Sequence, residues 1–183
     1  LQAGLTELCH YVGAPVWSTG GCSDSKLADE QAALEGALSV LFSALSGGDL
    51  CHDVGYLESG MTGSLQQAVM MEEAIGFVKR IMRGIEVTPE TLALGVIDAV
   101  GPGGHYLAED HTLRHYRSES WFPSLMDRGR RQQWEARGSK TMAERVQEKL
   151  SRVLETHQPA ALSPASQAEI ERILASAQER VKS

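Results

Sequence analysis

At 183 residues the chain is long enough for one domain or one and a half. Its net charge of −7 argues against general nucleic-acid binding, and three Trp, four Tyr and three Phe are too few for an extended stacking platform. The three cysteines, Cys9, Cys22 and Cys51, are odd in number and widely spaced, so no disulfide framework is suggested and a reducing cytoplasm is the expected localisation.

No stretch is long and apolar enough to span a membrane, and no charged-then-apolar signal segment occurs. The charge is uneven. Residues 1–100 hold 13 acidic and 4 basic residues, net −9, whereas 101–183 hold 11 and 13, net +2. That split predicts two regions, 1–100 and 101–183.

In chain order, residues 1–12 carry Leu5, Leu8, Cys9 and Val12 at helical spacing. They read as the end of a helix, and a fragment or processed product is expected. Pro15–Thr19 is a short candidate strand, followed by the glycine turn and polar loop Gly20–Ala28. Asp29 is positioned to cap a helix to about Leu45, with Ala33, Ala37, Leu38, Leu41 and Leu45 as its apolar face. Gly47–Gly48 ends that helix, and Leu50–Gly55 is a second candidate strand. A glycine-punctuated loop, Tyr56–Gly63, leads to Ser64, which opens a helix to about Met82. Thr88-Pro89-Glu90 starts a helix to about Val100, stopped by Gly101-Pro102-Gly103-Gly104.

Beyond that break, Ala108–Arg117 reads as one helix and Ser120–Met126 is irregular around Pro123. Thr141–Glu155 is a charged amphipathic helix with Met142, Val146, Leu150, Val153 and Leu154 inward. Pro159–Pro164 is a linker into a last helix to about Val181, with Ile170, Ile173 and Leu174 on one face. The first part therefore alternates strand and helix in units that fit consecutive βα units of a parallel sheet. Two strands cannot close a barrel or hide both edges, so further strands are expected from upstream sequence or another chain.

The loops after the strands carry the chemistry. The first brings Cys22, Ser23, Asp24 and Lys26 together at a strand's carboxyl end, where α/β proteins place their sites. The plainer alternative has Ser23 or Asp24 capping the turn and Lys26 in solvent. In the second, His52 and Asp53 are adjacent on a strand and are expected to face opposite sides. A ligand contact and an ordinary core histidine are both open for His52. Glu58 is a candidate binding carboxylate or a loop residue bonding backbone amides.

Cys22, Cys51 and His52, or His105, His111 and His115, offer zinc-type ligands, but no Cys-x-x-Cys or His-Glu-x-x-His occurs and no metal is expected. Gly101–Gly104 follows a helix and lacks the spacing of a dinucleotide fingerprint. Arg128, Arg130 and Arg131 read as a solvated face, and Met70, Met71 and Met82 as core filler.

Taken in order, several motifs resemble the trimethylamine methyltransferase superfamily. They are Gly20-Gly21-Cys22-Ser23-Asp24-Ser25-Lys26 with Asp29, Gln31 and Ala32; Tyr56-Leu57-Glu58-Ser59-Gly60; Gly103-Gly104-His105-Tyr106-Leu107; His111-Thr112-Leu113-Arg114; and Trp121-Phe122-Pro123 with Asp127-Arg128. The similarity covers nearly the whole chain as the carboxyl-terminal part of a longer member. It implies an α/β fold: the late βα units of a (β/α)₈ TIM barrel in 1–100, then a helical extension in 101–183, mostly helical in sum. It also implies an enzyme, a methyltransferase moving a methyl group from a methylated amine to the cobalt of a corrinoid (cobalamin). The corrinoid is carried by a partner protein, and none is bound tightly by this chain.

Some members carry pyrrolysine in the region resembling the first loop. This chain has only standard residues, which resembles the branch acting on quaternary amines such as glycine betaine. A quaternary ammonium already bears the charge that attack on its methyl group neutralises, so the enzyme has mainly to position it and stabilise the cation. From strand-end position, Asp24 and Glu58 are candidate carboxylates and Trp17 and Tyr56 candidate aromatic faces. His52 is a candidate contact for a substrate carboxylate, and Cys22 and Ser23 complete the candidate pocket. The 183 residues alone are expected to be inactive, and a homo-oligomer stays open. Two alternatives remain: a helical interaction or oligomerisation module built on Thr141–Val181, and another TIM-barrel enzyme of lyase or aldolase type.

Overall fold

Asp29 Oδ1 accepts the Ala32 amide at 3.0 Å and Ser64 Oγ accepts the Gln67 amide at 3.2 Å, so both long helices start where a side-chain oxygen satisfies a first-turn donor. The computed structural model describes residues 1–182. Helices α1 (Gln2–Tyr11), α2 (Glu30–Leu45) and α3 (Leu65–Met82) belong to the amino-terminal part, with strands β1 (Trp17–Thr19), β2 (Leu50–His52), β3 (Tyr56–Leu57) and β4 (Thr62–Gly63). Helices α4 (Pro89–Leu92), α5 (Leu94–Val100), α6 (Asp110–Glu119), α7 (Arg131–Ala136), α8 (Met142–Thr156) and α9 (Pro164–Lys182) follow. The chain is thus mostly helical with few strands.

β1 and β2 pair in parallel, with Trp17 opposite Leu50, Ser18 opposite Cys51 and Thr19 opposite His52. Helix α2 makes the crossover between them, as a βαβ unit requires. Buried Ser18 bonds through its hydroxyl to Ser43 of α2, which fixes the helix-facing side of the pair. The core is Met70, Met71, Ala74, Leu125 and Val146, with Ala28, Ala33, Ala37, Val54, Val69 and Met142 packed against it.

Several expectations change. The buried stripe of α2 is Ala32, Gly36, Val40 and Ser43, while Leu38 and Leu45 are 45% and 58% exposed. Small residues face α3 because the two helices pack closely; a Cβ on Gly36 would stand 2.6 Å from Met71 Sδ. The expected helix 89–100 breaks at Ala93, whose left-handed φ of 51° separates α4 from α5. The expected loop 56–63 is a small antiparallel hairpin, β3 with β4. α7 is a helix in a stretch read only as a basic face. Val153 and Leu154 of α8 are exposed instead of inward.

The chain divides into two units, residues 1–151 and residues 152 onward. The first therefore includes the helical stretch after residue 100 as far as Ser151. It is tied by Glu73 of α3, whose carboxylate accepts from Ser124 N, Ser124 Oγ, Leu125 N and Met126 N at 2.7–3.0 Å. The second unit holds the end of α8 and α9, with Ile170, Ile173 and Leu174 exposed. Among the described residues no helix is long and apolar enough to cross a membrane.

Candidate functional site

The carboxyl ends of β1 and β2 are joined by their loops, residue against residue. Gly20 N donates to His52 O at 3.0 Å and Gly55 N to Gly21 O at 3.1 Å. Ser23 N donates to Tyr56 O and Glu58 N to Ser25 O, each at 3.0 Å. The parallel ladder thus continues past the strands as a loop–loop seam. Gly21 makes the first turn possible: its φ is +78°, and a Cβ there would lie 3.2 Å from Val54 Cα.

The two loops are built differently. In the first, Ser23 is buried and its Oγ donates to Glu35 Oε2 at 2.6 Å, while Asp24 N donates to the same oxygen at 2.9 Å. Ser23 Oγ also accepts the Ser25 amide, and Ser25 Oγ donates to Asp29 Oδ1. These bonds hold the carboxyls of Glu35 and Asp29 below the usual carboxylate range, led by Ser23 for Glu35 and by the Ala32 amide for Asp29. Lys26 Nζ bonds the Asp24 carbonyl oxygen.

The second loop is held in costly backbone conformations. Asp53, Glu58 and Ser59 have φ of 70°, 52° and 54°, left-handed values that non-glycine residues seldom adopt. Such strain collects where a side chain must be aimed. β2 ends at His52, so Asp53 does not continue the strand and does not face away from it. The turn brings Asp53 Oδ1 to 2.8 Å from His52 Nδ1. The expected opposite-facing pair instead stands side by side.

The candidate residues fall into three placements. Trp17 and His52 share the face of the strand pair opposite α2, with rings edge to face at 5.1 Å; Trp17 is 69% exposed. Asp24 is exposed and accepts from Ser59 Oγ at 2.6 Å, which links the loops by side chains as well as backbone. Glu58 is exposed and accepts from Thr62 Oγ1 at 3.2 Å, and Tyr56 is exposed beside it. Ser23 lies inward with its hydroxyl committed to Glu35. Cys22 is half-buried. Burial, the charge of Asp53 and then that of Asp24 push its thiol above the usual range. The structure thus brings Cys22 near both acids.

Sequence reasoning missed Glu35 and Ser59. Glu35 stands four residues after Gln31, whose Nε2 donates to Glu35 Oε1 at 2.9 Å; that helical spacing was the available signal. Ser59 stood in the Tyr56–Gly60 motif, but its bond spans two loops and so its partner was hidden.

The chemistry on offer is a strand-end rim of carboxylates (Asp24, Asp53, Glu58), an imidazole beside Asp53 and exposed aromatic rings. That set suits a small cation better than an anion.

The family described as trimethylamine methyltransferase matches residues 1–181. A trimethylamine methyltransferase of Desulfitobacterium hafniense is 39% identical over 159 residues, 87% of this chain and 32% of that protein. One from Methanosarcina barkeri is 39% identical over 160 residues, 86% of this chain and 32% of the relative. A glycine betaine methyltransferase of Desulfitobacterium hafniense is 31% identical over 170 residues, 92% and 35% respectively. The chain thus spans about a third of the length of the curated relatives it matches.

Proposed function

The chain belongs to the trimethylamine methyltransferase family, and from that premise we propose that it forms part of the substrate rim of a corrinoid-dependent methyltransferase. The whole enzyme moves a methyl group from a methylated amine, a quaternary one such as glycine betaine or else trimethylamine, to the cobalt of a corrinoid held by a separate protein. The corrinoid is a co-substrate; its cobalt supplies the electron pair that displaces the amine from its methyl carbon. The nitrogen of a quaternary ammonium, or of trimethylamine in its protonated form, keeps the bonding pair and leaves as a neutral amine.

The observation that carries this reading is the bare face of the parallel pair. One side of β1–β2 is covered by α2, while Trp17 and His52 lie on the other with Leu50, which is 62% exposed. Parallel strands are normally covered on both faces. A bare face carrying a ring pair, with Trp17 at the start of β1 and His52 at the carboxyl end of β2, is what two strands of a (β/α)₈ barrel present when viewed alone. In the whole barrel that face turns to the interior.

This chain's residues then bind and orient. Asp24 and Glu58 offset the ammonium charge, and the Trp17 and Tyr56 faces favour it further by cation–π attraction. His52 is the contact for a carboxylate on the amine, which selects betaines over simple amines. Ser23 with Glu35 holds the loop that carries Asp24. Because these residues supply only some arcs of the rim, the 183 residues alone are inactive.

The test uses the full-length protein, a reduced corrinoid protein and a panel of methylated amines and betaines, with the cobalt absorption followed over time. Methylation of the corrinoid with glycine betaine or trimethylamine supports the reading, and methylation with none of the panel overturns it. Activity in residues 1–183 alone overturns the claim that they are inactive.

A further inference from the structure

Away from the strand-end loops, three metal-ligating side chains converge on one point of the surface. Glu90 lies in the first turn of α4, a turn fixed by a reciprocal cap: Thr91 N donates to Thr88 Oγ1 at 3.2 Å and Thr88 N to Thr91 Oγ1 at 2.8 Å. His111 and His115 stand four residues apart on α6 and share one face of it. Their ring centroids are 4.3 Å apart. His115 Nε2 lies 3.1 Å from Glu90 Oε1, and His111 Nε2 lies 2.8 Å from the Glu90 carbonyl oxygen. One ligand atom from each of the three residues falls within 4.8 Å of the others.

Two imidazoles and a carboxylate are the donor set of a borderline first-row divalent ion, zinc foremost; magnesium and calcium prefer all-oxygen shells. Zinc–ligand bonds of about 2.0–2.1 Å set tetrahedral ligand atoms about 3.4 Å apart. Rotations of exposed or half-buried side chains close the remaining gap. Arg114 Nη2, 3.1 Å from Glu90 Oε1, has to swing away, and its exposed guanidinium is free to do so. The sequence hid this set because the third ligand comes from another helix, across the Ala93 kink and the Gly101–Gly104 break.

We propose that Glu90, His111 and His115 form a binding site for one zinc-class divalent ion that pins α4 to α6. It is independent of the methyl-transfer reading. The ion replaces protons on the two imidazole nitrogens, so its affinity falls at acid pH.

Calorimetric titration of zinc into the full-length protein, compared with His111→Ala, His115→Ala and Glu90→Gln, tests this with the metal alone. The expected result is a saturable site that disappears in both histidine variants and weakens about tenfold or more in Glu90→Gln. Magnesium gives no response. Cobalt(II) at the same site shows visible bands without a thiolate charge-transfer band, and Cys22→Ser leaves them unchanged. Equal zinc uptake by wild type and His115→Ala overturns the proposal, as does loss of uptake on Cys22→Ser alone. Should the histidine variants not fold, ¹⁵N-labelled wild type decides: the ring nitrogens of His111 and His115 move together on zinc addition, or the site does not exist.

Discussion

Ser59 Oγ donates to Asp24 Oδ1 at 2.6 Å, joining side chains 35 positions apart and closing one strand-end loop onto the other. Ser59 holds this position at a left-handed φ of 54°, which costs about 1–2 kcal/mol for a non-glycine residue. The bond therefore aims Asp24 at a backbone cost that the surrounding seam sustains. In the full-length enzyme, Ser59→Ala frees the Asp24 carboxylate to rotate. KM for the amine is expected to rise about tenfold, since a hydrogen bond to a charged group contributes about 1.5 kcal/mol or more. Global stability changes by about 0.5 kcal/mol or less, because the site is exposed. An unchanged KM for every amine of the panel removes Asp24 from the binding rim.

The Cys22 thiol is raised first by burial, then by Asp53 and Asp24. Its thiolate is therefore scarce near neutral pH, and thiolate is the reacting species. Iodoacetamide at pH 8 should label exposed Cys51 before Cys22, as read by peptide mass spectrometry. Asp53→Asn removes the larger charge acting on Cys22 and should speed its labelling several-fold. Equal Cys22 rates in the two proteins break the link between Cys22 and Asp53.

Which parts of this were legible in the sequence follows from the range of each interaction. Asp29, Ser64 and Thr88 were readable as helix starts because a cap is a local bond, closed within three residues. The parallel pair and its α2 crossover followed from the strand–helix rhythm. The face that α2 buries did not, because Ala32 and Gly36 are set by the closeness of α3 and not by their own hydrophobicity. Leu38 was the better hydrophobic choice and is exposed. The two loops were readable as the segments that follow the strands, while the bonds that join them were not. Asp53 turns back onto His52 through a φ of 70°, a conformation no local rule assigns to Asp-Val-Gly. Glu35 and Ser59 act across loops, so only the folded chain reveals them.

Glu73 holds the segment that carries Trp121-Phe122-Pro123. Burial raises its carboxyl, but the donors from Met126, Leu125 and Ser124 outweigh it, and the net shift is downward. A depressed carboxylate stabilises the fold above its unfolded value of about 4.3 and ceases to do so as pH falls through the folded value. Glu73→Gln turns an amide donor toward backbone N–H groups and is expected to destabilise by about 3 kcal/mol at pH 7. Urea unfolding of the two proteins at stepped pH checks this. The gap should close below the carboxylate range, where wild-type Glu73 is also neutral. A gap that stays constant down to pH 2 means the charge is not what holds the segment.

Gly36 and Gly4 separate packing from propensity. Both are helical, Gly36 in α2 and Gly4 in α1. A Cβ on Gly36 would stand 2.6 Å from Met71 Sδ and 2.8 Å from Gln67 Nε2, whereas one on Gly4 meets nothing within 4 Å. Met71 is 1% exposed and Gln67 fully buried, so neither end can move aside into water. Gly4→Ala should therefore stabilise, by up to about 1 kcal/mol, through helix propensity alone. Gly36→Val should destabilise by about 1–3 kcal/mol through overpacking. Chemical denaturation of the full-length variants measures both. A stabilised Gly36→Val would mean that α2 and α3 stand further apart than the small-residue stripe implies, and the explanation for the exposed Leu38 face would go with it.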